Sequence, residues 1–214
     1  MKNNIIPLKN LIAQYKKSGL NYKLPIMLGI NEQAKAEFAD LTDLEHILMT
    51  GTTGSGKSMF MHTTIYNFMQ SFTPHELSFI FIDMKRIELS LYNGSPYLLC
   101  PTAVDVDKVY SVLRWAIYEK QIRLEKIEEL KTQPYIIIVI DTFSDLIAND
   151  SEMFQEHLFS LMDQASKVKI HIIMSDSRPS ADIYTPLIRN IFSTKICFNV
   201  SEPAYSELVI GKTG

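Results

Sequence analysis

Ile47-Leu48-Met49-Thr50-Gly51-Thr52-Thr53-Gly54-Ser55-Gly56-Lys57-Ser58-Met59 decides how the rest of the chain is read. Residues 51–58 satisfy G-x-x-x-x-G-K-[ST], the phosphate-binding loop, at every constrained position. The spacing follows from the chemistry. A strand must deliver the chain to a loop whose backbone N–H groups turn inward around a triphosphate, and glycines 51, 54 and 56 permit the angles and the close approach. Thr52, Thr53, Ser55 and Met59 complete the cradle. Lys57 is placed to reach the β- and γ-phosphates, and the Ser58 hydroxyl to take a place on Mg²⁺. Met59 to Gln70 reads as a helix, so its positive N-terminal end faces the anion. A Gly/Ser-rich turn matching by chance is the competing reading. The apolar run before the loop and the helical pattern after it argue against that. The expected ligand is a nucleoside triphosphate with Mg²⁺.

Composition bounds the rest. A chain of 214 residues with 46% hydrophobic side chains suits one α/β domain with a small addition at its front. The net charge of −3 argues against a generally basic nucleic-acid surface, though not against a local basic patch. Cys100 and Cys197 share no metal-ligand spacing, which fits reduced thiols and a cytoplasmic setting. No apolar run approaches the ~20 residues that span a bilayer. Residues 1–7 show no signal-peptide core.

Around the loop, apolar residues alternate between strand and helix patterns. Leu8 to Lys17 has helical spacing and stops at Gly19. Ile26–Ile30 and Ala36–Phe38 read as a hairpin packed on the main sheet, so 1–45 is expected to be a helix and hairpin on a core of 46–214. Strands are expected at 46–50, 78–83, 135–140, 168–174 and 195–198. Helices are expected over 107–130 and around 153–165, with the charged tail 119–131 as a solvated face and His157 as a core histidine. Tyr135–Ile140 is continuously apolar, as a parallel strand covered on both faces should be. The alternation implies a mostly parallel sheet with helices on both faces and ligands at the strands' carboxyl ends. Asp83, Asp141 and residues 174–178 fall at those ends.

Asp141 closes a strand of aliphatics and is expected to hold Mg²⁺ from the side opposite Ser58; a plain strand-end cap is the alternative. Hydrolysing motors commonly carry a glutamate next, to activate water. Here Thr142 follows, and a threonine cannot take a proton at neutral pH. Asp145 lies a helical turn further on, a poor geometric substitute. Ser177, ahead of Arg178-Pro179-Ser180, stands where a polar sensor of the γ-phosphate is expected. Lys57, Asp141 and Arg178 are the expected catalytic residues. The site reads as built to bind, with Thr142 and Ser177 at degenerate hydrolytic positions.

Five segments together resemble the RecA-like β subdomain of the FtsK/SpoIIIE DNA translocases: His46–Ser58, Phe79–Leu99, Leu113-Arg114-Trp115 with Glu119, Tyr135–Leu146, and Ser177–Ser180 running into Leu187-Ile188. Lys85-x-x-Glu88-Leu89, Tyr92-x-Gly94-x-Pro96 and Arg178-Pro179-Ser180 are the specific parts. The resemblance implies a RecA-like P-loop NTPase, an ATP-driven motor on double-stranded DNA, and a homo- or hetero-oligomeric ring. Lys85 and Arg86 fit a DNA channel or a solvated surface equally. The departures are Thr142 for the family's glutamate and Ser177 for its glutamine. Tyr205-Ser206-Glu207 stands where the family has Asp-Ser-Arg, and the segment 123–134 is shorter. No winged-helix domain or membrane segment is expected within this chain. These changes also suit a hydrolysis-deficient, ATP-gated subunit of a conjugation or specialised secretion complex. A small-molecule kinase is the weakest reading, since no Arg-rich lid follows the loop.

Overall fold

The apolar runs pair in parallel, and their order brings the phosphate loop opposite Asp141. The computed structural model describes residues 6–212; residues 1–5, which carry most of the segment tested for a signal-peptide core, and 213–214 lie outside the described residues. The elements in chain order are α1 (Leu8–Ser18), β1 (Pro25–Ile30), β2 (Ala36–Asp40), α2 (Leu41–Leu44), β3 (Ile47–Thr50), α3 (Lys57–Ser71) and β4 (Leu77–Asp83). They continue with α4 (Val106–Glu125), β5 (Tyr135–Asp141), α5 (Ser144–Met162), β6 (Ile170–Asp176), α6 (Pro186–Ile191), β7 (Thr194–Cys197) and α7 (Pro203–Ile210).

The main sheet runs β4-β5-β6-β3-β7, and every neighbouring pair is parallel. Strand β6 therefore stands between the strand that feeds the loop and the strand that ends in Asp141. On β5, Ile136, Ile138 and Ile140 pack into a core with α4 and α5, while Ile137 and Val139 pack into the opposite core with α3. Both faces are dry, which is why that run shows no alternation. Fully burying one such side chain contributes about 1.5–3 kcal/mol. The outer edge of β4 is covered by its own downstream chain. Phe79 N–H donates to Tyr97 O at 2.8 Å and Asp83 N–H to Ala103 O at 2.9 Å. That blunts an edge that would otherwise invite pairing.

Strands β1 and β2 form a separate antiparallel hairpin with a bulge between Met27 and Gly29. The Asn67 side chain on α3 donates to Pro25 O at 2.8 Å, and Leu24 and Ile26 enter the core beneath α3.

Several sequence expectations shift. The helix expected over 107–130 ends at Glu125, and Ile127–Lys131 is a 3₁₀ turn. Its charged tail is not a uniformly solvated face, because Lys120 and Arg123 are buried. The Arg123 guanidinium donates to Pro134 O at 2.8 Å and Val168 O at 3.2 Å, tying the tail to the starts of two strands. The helix expected around 153–165 begins at Ser144 and breaks at Asp150, whose side chain accepts from Met153 N–H at 2.9 Å and restarts it. Strand β6 begins two residues after Val168, since Ser166–Val168 makes a 3₁₀ turn. His157 is half-buried, its Nδ1 2.8 Å from Met153 O, its ring against Tyr110. Among the described residues no helix is long and apolar enough to cross a membrane.

Candidate nucleotide site

The phosphate loop is clamped from behind by the chain leaving β7. Thr52 N–H and its hydroxyl both donate to Asn199 O, each at 3.0 Å, and Phe198 N–H donates to Thr50 O at 2.8 Å. Gly51 is required by this contact: a Cβ there would lie 2.6 Å from Phe198 Cβ and 2.6 Å from Ser55 Oγ. Gly56 caps α3 at φ 103°, a backbone angle that side chains rarely adopt. The helix starts at Lys57, two residues earlier than its sequence pattern suggests, because Gly56 supplies the turn that lets Lys57 and Ser58 be helical at once. The first helical bond runs from Phe60 N–H to Gly56 O at 2.9 Å, which leaves the N–H groups of Lys57, Ser58 and Met59 without an intrahelical partner, as anion binding at a helix start requires.

The mouth is a cavity of about 320 Å³ lined by Thr52, Thr53, Gly54, Gly56, Lys57, Ser58 and Met59 on the loop side. Gly51 and Ser55 are not in the lining; they shape the loop from behind. Across the cavity stand Asp141, Thr142 and Ser177, with Lys85, Ile87 and Glu88 on a third side. Arg178 is exposed and outside the lining. Its N–H donates to Asp176 Oδ1 at 2.7 Å, and the other oxygen of that buried carboxylate accepts from Ser144 N–H at 2.7 Å. Asp176 thus fixes both the 177–180 turn and the start of α5.

Parallel register places Asp83 beside Asp141 and Asp141 beside Ser175 at the carboxyl ends of three adjacent strands. The Ser175 hydroxyl donates to Asp141 Oδ1 at 2.5 Å. Burial pushes the Asp141 carboxyl above its ordinary range; Ser175 and Lys57 pull it down, and the Asp83 and Glu88 charges push it up. A cation arriving here would relieve that crowding. Thr142, buried at the next position, has φ 56°. A β-branched residue in the left-handed region is strained, and such strain concentrates at functional sites.

Sequence reasoning gave Glu88 no role in the site, and it left Lys85 open between a DNA channel and solvent. Both line the phosphate cavity. Glu88 is held in place: Asp83 Oδ2 accepts from Glu88 N–H at 3.0 Å and from Leu89 N–H at 2.9 Å. His62 Nε2, on α3, lies 2.9 Å from Glu88 Oε2. The His62 contact holds the Glu88 carboxyl below its ordinary range against the opposing effect of burial, with Ser58 and Lys57 adding to it. The signal was available in Asp83-x-x-x-x-Glu88, an acidic side chain five residues beyond a strand-end aspartate.

The residues present fit Mg²⁺. Apart from the Lys57 and Lys85 ammonium groups, which do not ligate metals while charged, the polar side chains in the cavity lining offer oxygens, Ser58, Asp141 and Glu88 among them, and the buried Asp83 Oδ1 has no protein partner. Among the described residues no group of three or more His, Cys, Asp or Glu side chains could hold a metal alone. Mg²⁺ suits such a place, since it takes one or two protein oxygens and completes its shell with phosphate and water.

Comparison with known proteins agrees with this geometry. The DNA translocase FtsK of Haemophilus influenzae is 29% identical over 250 aligned residues, covering 98% of this chain and 47% of that protein. The chain spans between 23% and 47% of the length of the curated relatives it matches. Among solved structures, the pCW3 conjugation coupling protein TcpA, in monomer form with ATPgS, superposes with a TM-score of 0.73 at 20% identity, covering 92% of this chain and 60% of that one. The cytoplasmic domain of EssC gives 0.76 at 22% identity, covering 90% of this chain and 40% of that one. At these identities the likeness is one of fold, a P-loop ATPase sheet. The FtsK/SpoIIIE family pattern matches residues 8–191, from the first helix through α6, so a nucleotide-binding loop of this kind is what the whole stretch is built around, and the chain belongs to the FtsK/SpoIIIE family.

Proposed function

We propose that this chain binds Mg²⁺-ATP in the cavity at the carboxyl ends of β3 and β5 and serves as the motor portion of a double-stranded DNA translocase. It works on the cytoplasmic side, within a ring of like or related subunits. The observation that carries the reading is the juxtaposition of the glycine-shaped loop, buried Lys57 and the Asp141–Ser175 pair around one cavity. Lys57 and the first-turn N–H groups of α3 hold the β- and γ-phosphates. Ser58 and Asp141 hold Mg²⁺, which when bound neutralises charge on the phosphate oxygens. Ser177 faces the γ-phosphate, and Arg178 stands exposed next to it, placed to add positive charge when the site closes. Residues 1–45 form a helix and hairpin seated on the ATPase core of 46–214. Isothermal titration with ATP and Mg²⁺, with hydrolysis followed in the presence and absence of duplex DNA, tests the proposal. Undetectable ATP binding would refute it.

Thr142 favours a second reading. A strained threonine at the position of a water-activating carboxylate suits a subunit that binds ATP and turns it over slowly, gating a conjugation or secretion assembly. The same titration separates the two, since slow hydrolysis indifferent to DNA supports the gate and DNA-stimulated turnover supports the motor.

A further inference from the structure

Three side chains from two segments form a chain of hydrogen bonds that ends in the phosphate cavity. Tyr92 Oη lies 2.9 Å from His62 Nδ1, and His62 Nε2 lies 2.9 Å from Glu88 Oε2. The carboxylate can only accept, so Nε2–H is the donor to it; in the neutral ring Nδ1 then accepts from the Tyr92 hydroxyl. The Tyr92 ring packs against Phe81 of β4, so the chain is anchored in the core. Glu88 is also anchored through its backbone, because its N–H donates to the buried Asp83 carboxylate. A surface glutamate has no need of such support. This one lines the cavity beside Ser58 and Lys57.

We propose that Glu88 is the outer carboxylate of the metal-nucleotide site, accepting hydrogen bonds from water bound to Mg²⁺, and that His62 and Tyr92 are positioning residues that aim it. The inference rests on the Mg²⁺-ATP reading given above and adds to it residues on the loop after β4 and on α3. The physical basis is a sign change. Without a metal, an anion beside the phosphates repels them. With a hydrated divalent cation between, the same anion attracts through charge-assisted hydrogen bonds, which also orient the ligands directly on the ion. The other carboxylate in the cavity lining is Asp141, with Asp83 buried behind it, and the cations in the lining are Lys57 and Lys85.

The test compares the Kd of ATP with excess Mg²⁺ and with EDTA, for the full chain and for Glu88→Gln, His62→Ala and Tyr92→Phe. Glu88→Gln should cut the tightening produced by Mg²⁺ by about tenfold, the size typical for losing an outer partner of a metal ligand. Metal-free ATP should bind that variant as well as the parent, or better. His62→Ala should move the ratio in the same direction by less, and Tyr92→Phe by least. A purely structural Glu88 would lose both affinities together, or lower the thermal midpoint without changing their ratio. Either result overturns the proposal, and so does a Glu88→Gln chain that keeps the whole Mg²⁺ effect. If the parent chain binds ATP in neither condition, the nucleotide reading itself falls and takes this inference with it.

Discussion

The Ser175 hydroxyl donates to Asp141 Oδ1 at 2.5 Å, across the register that pairs these two residues on β5 and β6. The bond acts against the burial that pushes the Asp141 carboxyl up, and so helps keep it charged where a cation is needed. Ser175→Ala should therefore weaken Mg²⁺-dependent ATP binding by about tenfold, in line with a lost hydrogen bond to a charged group. Titration with and without Mg²⁺ measures it. Equal Mg²⁺ dependence in the variant would mean the pair is only structural.

Lys57 is buried in the cavity's lining at the first position of α3. Lys57→Ala removes a charge-assisted contact to phosphate worth about 1.5–3 kcal/mol, so the Kd for ATP should rise at least tenfold. Binding that is unaffected would place the nucleotide elsewhere.

At the opposite end of the sheet, His46 and His171 are buried with ring centroids 6.3 Å apart. His46 accepts from Ile172 N–H at 3.1 Å. Burial, with the His171 charge, depresses its pKa to about 4. The unfolded chain therefore binds the proton more tightly, and stability present above about pH 6.5 is lost as pH falls toward 4. That loss should reach roughly 3 kcal/mol at pH 4. Urea denaturation from pH 7 to 4.5, with His46→Gln as the comparison, checks the slope; a variant as acid-sensitive as the parent would exclude His46 as the cause.

Buried Lys120 on α4 donates to Ser160 O at 2.6 Å and Asp163 O at 2.9 Å, neutralising the carbonyl end of α5. Lys120→Met keeps the stem's packing and strands two carbonyls. It should destabilise the fold by about 1–3 kcal/mol, read from chemical denaturation. A neutral substitution would show that water satisfies those carbonyls.

How far the fold was legible follows from where each residue's partner lies. The phosphate loop and the run Tyr135–Ile140 could be read directly, because a glycine-defined turn and a strand dry on both faces leave local signatures. Asp83, Asp141 and Ser177 could be placed near the loop because parallel strands share a carboxyl end. Ser175 fell within the 174–178 segment expected there, but its bond to Asp141, Glu88's place in the site and the Asn199 clamp on Thr52 could not be read, since each is defined by a partner 26 to 147 residues away. Lys120 and Arg123 were misjudged for the same reason: nothing in a charged helix tail announces that backbone carbonyls of distant segments will enclose it. The expected helix began only at Met153, beyond the break at Asp150, so the first part of α5 went unread.

Turnover is the last test, and it turns on Thr142. General-base or water-positioning groups typically contribute ~10²–10⁴-fold in rate. Thr142 lines the cavity next to Asp141 but cannot accept a proton, and its φ of 56° holds a β-branched side chain in a strained angle. An unbranched residue tolerates that angle better, but a second carboxylate buried beside Asp141 costs stability, so the thermal midpoint of Thr142→Glu is checked before rates are compared. If Thr142 limits turnover, as the gating reading requires, the unmodified chain should bind Mg²⁺-ATP yet hydrolyse it slowly, with little response to duplex DNA; the motor reading requires DNA-stimulated turnover instead. Thr142→Glu should raise the single-turnover rate at least tenfold while leaving the Kd for ATP nearly unchanged. If the rate does not move, the limit lies at the sensor position or in subunit contacts, and Ser177 in the cavity lining and Glu207, the other departures from the family pattern, become the positions to restore. Fast, DNA-stimulated hydrolysis by the unmodified chain would show that water is activated without a carboxylate at 142, and Glu88, the other carboxylate facing the cavity, would be the first residue to examine.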